Sequence, residues 1–364
     1  MMLKPVQGPA ERKLFHALPH GIYETNAFHR DTEESITRLL VDGPTVYHTN
    51  ATVSPFLLFE GTEIVGRCAF IHDRRLPEYL QVAFFEALPG LSGISEVLAE
   101  TGQSLGSCAT RLVIGLNGHL NYGAGFLLDH FTEPPVFGLP YTPEYYPAYF
   151  SGCRCRRMVS YRFPLKGIYD WVRSVKNTFD ARGVEVRFFR KNDLRREIEL
   201  YTYIDNATFS NAECPYWYNR EAEENYELFH PFRFLIRPEH LLFAHKNGKP
   251  VGFLLWYPDF NMVVPPGRDI GVVDVLRYRF LSRPNAIRLA EIAILPEYRN
   301  TPAVAALYRL SLPELERTGY ETCEGGFIFD ENRSSKVMTE RYIERGCGER
   351  KGPYRSYGIF EREL

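Results

Sequence analysis

No apolar run in this 364-residue chain reaches the ~18–20 residues that span a bilayer. Residues 1–21 also lack the apolar stretch of a signal peptide. Neither sign of charge is in excess: 43 basic against 45 acidic side chains leave a formal charge of -2, so no general basic field is present to hold nucleic acid. The local basic cluster Arg154, Arg156 and Arg157 reads as a solvated turn. The seven cysteines are odd in number and show no C-x-x-C spacing, which excludes a disulfide framework and a structural zinc site. The ten histidines form no H-E-x-x-H pair, so no metal is expected. A G-x-S-x-G elbow and a Walker loop are both missing. Gly123-Ala124-Gly125 begins like a dinucleotide fingerprint but lacks its third glycine. These absences together predict a soluble cytoplasmic protein with no membrane or nucleic-acid partner.

What is present is apolar content, 45% of residues, in a chain long enough for two domains. Residues 1–20 read as a partly ordered lead-in. Phe56–Glu60 and Ile64–Ile71, joined by Gly61-Thr62-Glu63, predict a hairpin. A strand at Leu80–Leu88, a helix at Gly93–Gly102 and a short strand at Arg111–Leu116 follow. Thr142-Pro143 predicts a helix start running to Phe150, and Met158–Phe163 reads as a strand. Lys166–Gly183 reads as an amphipathic connection that holds the domain boundary. The order then repeats. Val184–Phe189 is a strand, Asp193 caps a helix through Thr208, and Asn219–Phe229 is a second helix. Leu241–His245 and Pro250–Trp256 flank the turn signal Asn247-Gly248-Lys249. The expectation is an α/β chain with mixed sheets, a tandem duplication of one domain type: residues 1–165, a linker helix at 166–183, and residues 184–364.

The segment Arg288–Cys347 is the most informative. A strand at Ile287–Leu295 runs into Pro296-Glu297-Tyr298-Arg299, and a helix at Pro302–Thr318 follows at once, its free first-turn amides able to face an anion. A strand at Glu321–Phe329 comes next, then a helix at Arg333–Arg345 stopped by Gly346, and last a strand at Tyr354–Glu361. Thr301 is the expected N-cap, with Pro302 at the first helical position. The alternation Leu289, Glu291, Ala293, Leu295 puts Glu291 on one strand face.

This order and these residues resemble the cofactor-binding half of the GNAT acyltransferase superfamily. Gly61–Ala69, Ala83–Ala87, Leu116–Asp129, Gly252-Phe253 with Pro258–Asn261, Phe329–Asn332 and Tyr357–Glu361 resemble an uncharacterised bacterial family of tandem GNAT-like proteins. Phe209-Ser210-Asn211 and Pro215–Tyr218 lie where that family has an early second-domain loop. The resemblance runs from about residue 15 to the end of the chain.

It implies two GNAT-like domains, with one cofactor site in the second. There Ile294, Leu295, Arg299, Asn300, Thr301, Ala303, Val304 and Asn332 would hold acetyl-CoA or another acyl-CoA. Arg299 matches the first position of the superfamily's Arg/Gln-x-x-Gly-x-Gly/Ala loop. Pro302 and Val304 stand where the glycines belong, so one phosphate donor is deleted and backbone approach is obstructed. By the same resemblance Glu291 is the general base and Tyr342 the acid for the leaving thiolate. Asn117, His119, Asn121, Trp217, Asp259 and Asn261 are candidate contacts to a small-molecule amine. The implied activity is N-acyl transfer from a thioester donor. A donor on an acyl carrier protein or an aminoacyl-tRNA, and a non-catalytic binding protein, stay open as alternatives.

Overall fold

The computed structural model describes residues 1–30, 34–174, 183–210, 212–299 and 301–364. The elements are β1 (Met2–Pro5), α1 (Gly8–Ile22), α2 (Glu34–Val41), β2 (Ala51–Glu60), β3 (Glu63–Asp73), β4 (Tyr79–Ala87), α3 (Ile94–Ser104), β5 (Arg111–Ile114), β6 (Phe126–Leu127), α4 (Tyr146–Tyr149) and β7 (Arg154–Pro164). There follow α5 (Leu165–Ser174), β8 (Val184–Phe188), α6 (Leu194–Thr208), α7 (Ala222–Phe229), β9 (Leu241–Lys246), β10 (Lys249–Pro258) and α8 (Val272–Phe280). The chain ends through β11 (Ala286–Ile294), α9 (Ala303–Thr318), β12 (Thr322–Phe329), α10 (Arg333–Cys347) and β13 (Ser356–Glu363). Two compact units result. Unit 1 is Met1–Met158, Val264–Ile270 and Arg355–Leu364; unit 2 is Val159–Val263 and Gly271–Tyr354. The division falls inside β7, and the last strand belongs to the first unit.

In unit 1 the strands lie in the order β1-β2-β3-β4-β5-β13, with β6 beside β13. Gly61, at φ +61, makes the β2–β3 turn, and Glu60 faces Glu63 across it. β4 pairs β3 antiparallel and β5 parallel. The core is aromatic: Phe56, Phe70, Phe85, Phe126, Tyr146, Phe150 and Phe360 are buried together. Phe85 meets Phe150 edge to face at 5.3 Å between ring centroids, the geometry that the ring quadrupoles favour.

Unit 2 repeats the arrangement in the order β7-β12-β11-β10-β9-β8. Asn247 and Gly248, at φ +52 and +75, form the two-residue β9–β10 turn that the Asn-Gly pair predicts. Strand alternation sorts the apolar side chains onto two faces. Leu242, Ala244, Leu254, Trp256 and Ile294 share one core with side chains of α5 and α9. Leu241, Phe243, Phe253, Leu255 and Ala293 share the other with Tyr201 and Ile204 of α6.

Four local expectations are corrected. The lead-in is ordered: β1 pairs with β2, and α1 buries Phe15, Arg67 donating to the Phe15 carbonyl at 2.9 Å. The helix expected from Thr142 is one turn, α4, because the Thr142 hydroxyl instead accepts the Leu127 amide at 2.9 Å. Gly346 does not stop α10. It lies inside that helix, where a side chain would collide with Ile168 of α5, and Gly348 at φ +75 ends the helix. Pro302 takes the N-cap position of α9, while the Thr301 hydroxyl donates to the Tyr298 carbonyl at 2.7 Å. Of the expected linker helix, residues 175–182 lie outside the described residues, and α5 packs within unit 2.

Candidate active site

β11 pairs with β12 in parallel only from Ala286 to Leu289, opposite Thr322 to Gly325. Both strands continue past that stretch, β11 to Ile294 and β12 to Phe329. At the same place β11 carries a bulge against β10, since Leu255 faces Glu291 while the adjacent Trp256 faces Leu289. The extra residue, Ala290, breaks the alternation read from the sequence. Leu289 packs with the α9 side, whereas Ala293 and Leu295 pack with α6. Glu291 therefore emerges on the α6 face just where the parallel strands part.

Tyr201 of α6 donates its hydroxyl to Glu291 Oε2 at 2.7 Å. One turn further along α6, Asp205 stands beside the same carboxyl and is held by Arg220 at 3.2 Å, both side chains fully buried. The Asn206 side chain fixes Arg220, accepting its amide at 3.0 Å and donating to its carbonyl at 2.8 Å. Desolvation first, and the neighbouring Asp205 charge second, push the Glu291 carboxyl well above the usual carboxylate range. Asp205 is also raised by burial, against the pull of Arg220. Two carboxyl groups thus stand side by side next to one guanidinium, and both are raised. As a residue Glu291 is intermediate in exposure.

The other expected site residues are placed as follows. Ile294 and Leu295 are buried at the end of β11. Arg299 is engaged: it bonds the Glu213 carboxylate at 3.2 Å and the Thr208 carbonyl at 2.9 Å. Asn211 and Asn300 lie outside the described residues. Ala303 is in the core, and Val304 packs against it. Asn332 caps α10, its side chain accepting the Ser335 amide at 3.0 Å. Tyr342 packs between Trp171 and Tyr308, at 5.8 and 5.3 Å, on the α5–α9 face and thus across the sheet from Glu291. Trp217 is buried against Phe209 at 4.9 Å. Asp259 accepts the Asn261 amide at 3.1 Å, a turn-forming contact. In unit 1, Asn117 accepts the Phe84 amide at 2.9 Å and His119 accepts the Asn121 amide at 3.2 Å, so these residues tie a loop onto β4. Among the described residues no group of His, Cys, Asp and Glu is placed to hold a metal ion, and no helix is long and apolar enough to cross a membrane.

Sequence reasoning missed Tyr201, Asp205 and Arg220. The four-residue spacing of Tyr201 and Asp205, one face of a helix, was the available signal. It also missed a counterpart in unit 1. There β4 is bulged against β3, and its parallel pairing with β5 ends at Val82. Beyond that point Glu86 accepts the hydroxyls of Tyr146 at 2.5 Å and Tyr23 at 3.0 Å. Burial raises the Glu86 carboxyl, with Arg67 opposing. A lone acid in an otherwise apolar strand was its signal.

No protein-family profile matches the sequence, and no curated protein matches it. Solved structures do match the fold. A tandem GNAT protein from the clavulanic acid biosynthesis pathway aligns at a TM-score of 0.54 and 11% identity, over 99% of this chain and 98% of that one. A GCN5-related glucosamine N-acetyltransferase region of a fungal multi-domain GH3 beta-N-acetylglucosaminidase aligns at 0.54 and 11% identity, over 99% of this chain and 38% of that one. A GCN5-related N-acetyltransferase from Sphaerobacter thermophilus aligns at 0.50 and 13% identity, over 99% and 95%. With a bulged strand, a parallel pair that parts, and a helix opening directly after it, the chain has the fold of the tandem GCN5-related N-acetyltransferases.

Proposed function

We propose that unit 2 is an N-acyltransferase acting on a small amine, with Glu291 as its acid–base residue. The observation that carries this reading is the desolvated Glu291 carboxyl, hydrogen-bonded to Tyr201 and coupled to Asp205, at the point where β11 and β12 separate. In the transfer the amine nitrogen attacks a thioester carbonyl, a C–N bond forms and the C–S bond breaks. Ionised Glu291 accepts the amine's proton, and a proton ends on the departing thiol. Tyr201 orients the carboxyl, and Asp205 with Arg220 sets its affinity for the proton. Tyr342, expected as the acid, is better suited to packing from its place between Trp171 and Tyr308.

The donor site fits an acyl-CoA in part. Gly325, the last β12 residue opposite β11, carries no side chain where the strands part, which suits a slender thioester arm, whereas Gly326 lies close against Val159 and Ser160 of β7. A pyrophosphate is poorly served. Pro302 has no amide proton, and Arg299 is already held by Glu213 and the Thr208 carbonyl.

The test is acyl transfer from acetyl-CoA to a panel of small primary amines by wild type and Glu291→Gln. Loss of turnover by about 10²–10⁴-fold with an unchanged melting temperature is expected, the range for removing a general base. Full turnover in the variant would remove Glu291 from the chemistry. Because the carboxyl holds its proton to unusually high pH, kcat/KM should rise with pH as it ionises.

A further inference from the structure

We infer that the outer face of α10 docks an acidic helix of a protein that carries the acyl donor. This deepens the transferase reading and rests on it. Arg333, Arg341 and Arg345 line a groove of about 480 Å³ together with Val337, Met338 and Tyr342. Their spacings of eight and four residues put the three guanidinium groups on one stripe ~18 Å long, at 1.5 Å per residue. All three arginines are exposed and among the described residues none of them makes an ion pair, though Arg345 lies over the Trp171 ring at 5.8 Å.

On the adjoining side of the same helix Glu340 takes Arg350 and the Tyr161 hydroxyl, and Lys336 takes Asp330 at 2.6 Å. Some exposed arginines elsewhere do pair, as Arg195 does with Glu223 and Arg317 with Glu314. The groove itself is lined by no acid.

Its floor says what kind of anion fits. Val337 is 38% exposed, and Tyr342 is held rigid by Trp171 and Tyr308. Apolar side chains between the cations favour an amphipathic acidic helix over a bare phosphate backbone. Such a helix matches the stripe with carboxylates one turn apart. The donor side of unit 2 leads independently to the same occupant. Its phosphate grip is compromised at Pro302 and Arg299, so a thioester delivered on a flexible arm needs its affinity from a surface elsewhere, and the arginine stripe supplies one.

The experiment titrates full-length protein with an acidic acyl carrier domain bearing acetyl-phosphopantetheine, at 50 mM salt, by fluorescence anisotropy. Micromolar binding is expected, weakened at least tenfold in the triple variant Arg333→Glu/Arg341→Glu/Arg345→Glu and also by 0.5 M salt. A triple Arg→Gln variant with an unchanged melting temperature serves as the folding control, and it should weaken binding less than the Glu version. Glu291→Gln should dock like wild type, so docking is read separately from catalysis. Carrier binding that is absent, or that the triple Glu variant leaves unchanged, overturns the inference. So does loss of acetyl-CoA binding in that variant with carrier binding intact, or binding of tRNA in place of the carrier.

Discussion

Units 1 and 2 set a carboxyl group at the same station of the same frame, past the end of a parallel strand pair and beyond a bulge, and then surround it differently. Glu86 receives two tyrosine hydroxyls, and Arg67 faces it across β3. Tyr146 is itself pinned, accepting the Ala87 amide at 3.0 Å. Every neighbour of Glu86 fixes one arrangement. Glu291 receives one tyrosine hydroxyl and a second carboxyl, Asp205, backed by Arg220. Adjacent carboxyls titrate as a pair, so the proton affinity of Glu291 depends on Asp205. One fold thus gives Glu86 two hydroxyl donors in unit 1 and Glu291 a neighbouring carboxyl in unit 2.

The largest test of this contrast is functional. Glu291→Gln should abolish most turnover, whereas Glu86→Gln should leave kcat within about twofold, read with the same donor and amine; comparable losses would make both carboxyls catalytic. Arg220→Ala should come next, destabilising the protein by about 3–5 kcal/mol because it leaves Asp205 buried without its counter-charge. Urea unfolding measures this, and a change below 1 kcal/mol would mean that Asp205 is neutral beside Arg220.

A third test uses pH. Both carboxyls bind a proton more tightly folded than unfolded. Their contribution to stability is therefore complete below the unfolded value of ~4.3 and is lost as pH rises through the elevated folded values. Glu86→Gln should flatten the alkaline side of the stability curve, since the amide oxygen still accepts both tyrosines. A curve parallel to wild type would show that Glu86 is ionised in the folded protein. His240 acts in the opposite sense. Burial lowers it to about 3, so it adds stability above the unfolded value of ~6.5 that is lost as pH falls. The smallest effects are in the turns. Gly61→Ala in unit 1 and Gly248→Ala in unit 2, at φ +61 and +75, should each cost about 1 kcal/mol.

Much of the frame was legible because it is written locally. Asn247-Gly248 marks its turn, the Gly61 hairpin is flanked by apolar runs, and β11, α9, β12 and α10 follow one another with little between them. What escaped depends on distant partners or on mixed signals. α1 contains Pro19 in its interior, which reads against a helix, although Phe15 anchors it to the core. α8 follows the breaker-rich stretch Pro265–Gly271 and exposes Val272, Val273, Leu276 and Phe280, so no clean apolar face announced it. Glu291 was legible as an acid in an apolar strand. Its setting was not, because Tyr201 lies 90 residues away and a single bulged residue redirects the strand.

The placement of β13 has a consequence for biosynthesis. Unit 1 is closed by residues 355–364, with Tyr357, Ile359 and Phe360 buried in it and the strand paired to β5. A ribosome that has delivered the whole of residues 1–158 has still not delivered the means to finish that unit. The aromatic surface that Phe360 covers waits, while unit 2 emerges, for the closing strand. On this layout unit 1 should complete its fold after unit 2, against the ordinary order of first domain first. A stalled or C-terminally clipped product should engage chaperones through its N-terminal half, and ribosome-bound chains should become resistant to protease there only after the last strand is released.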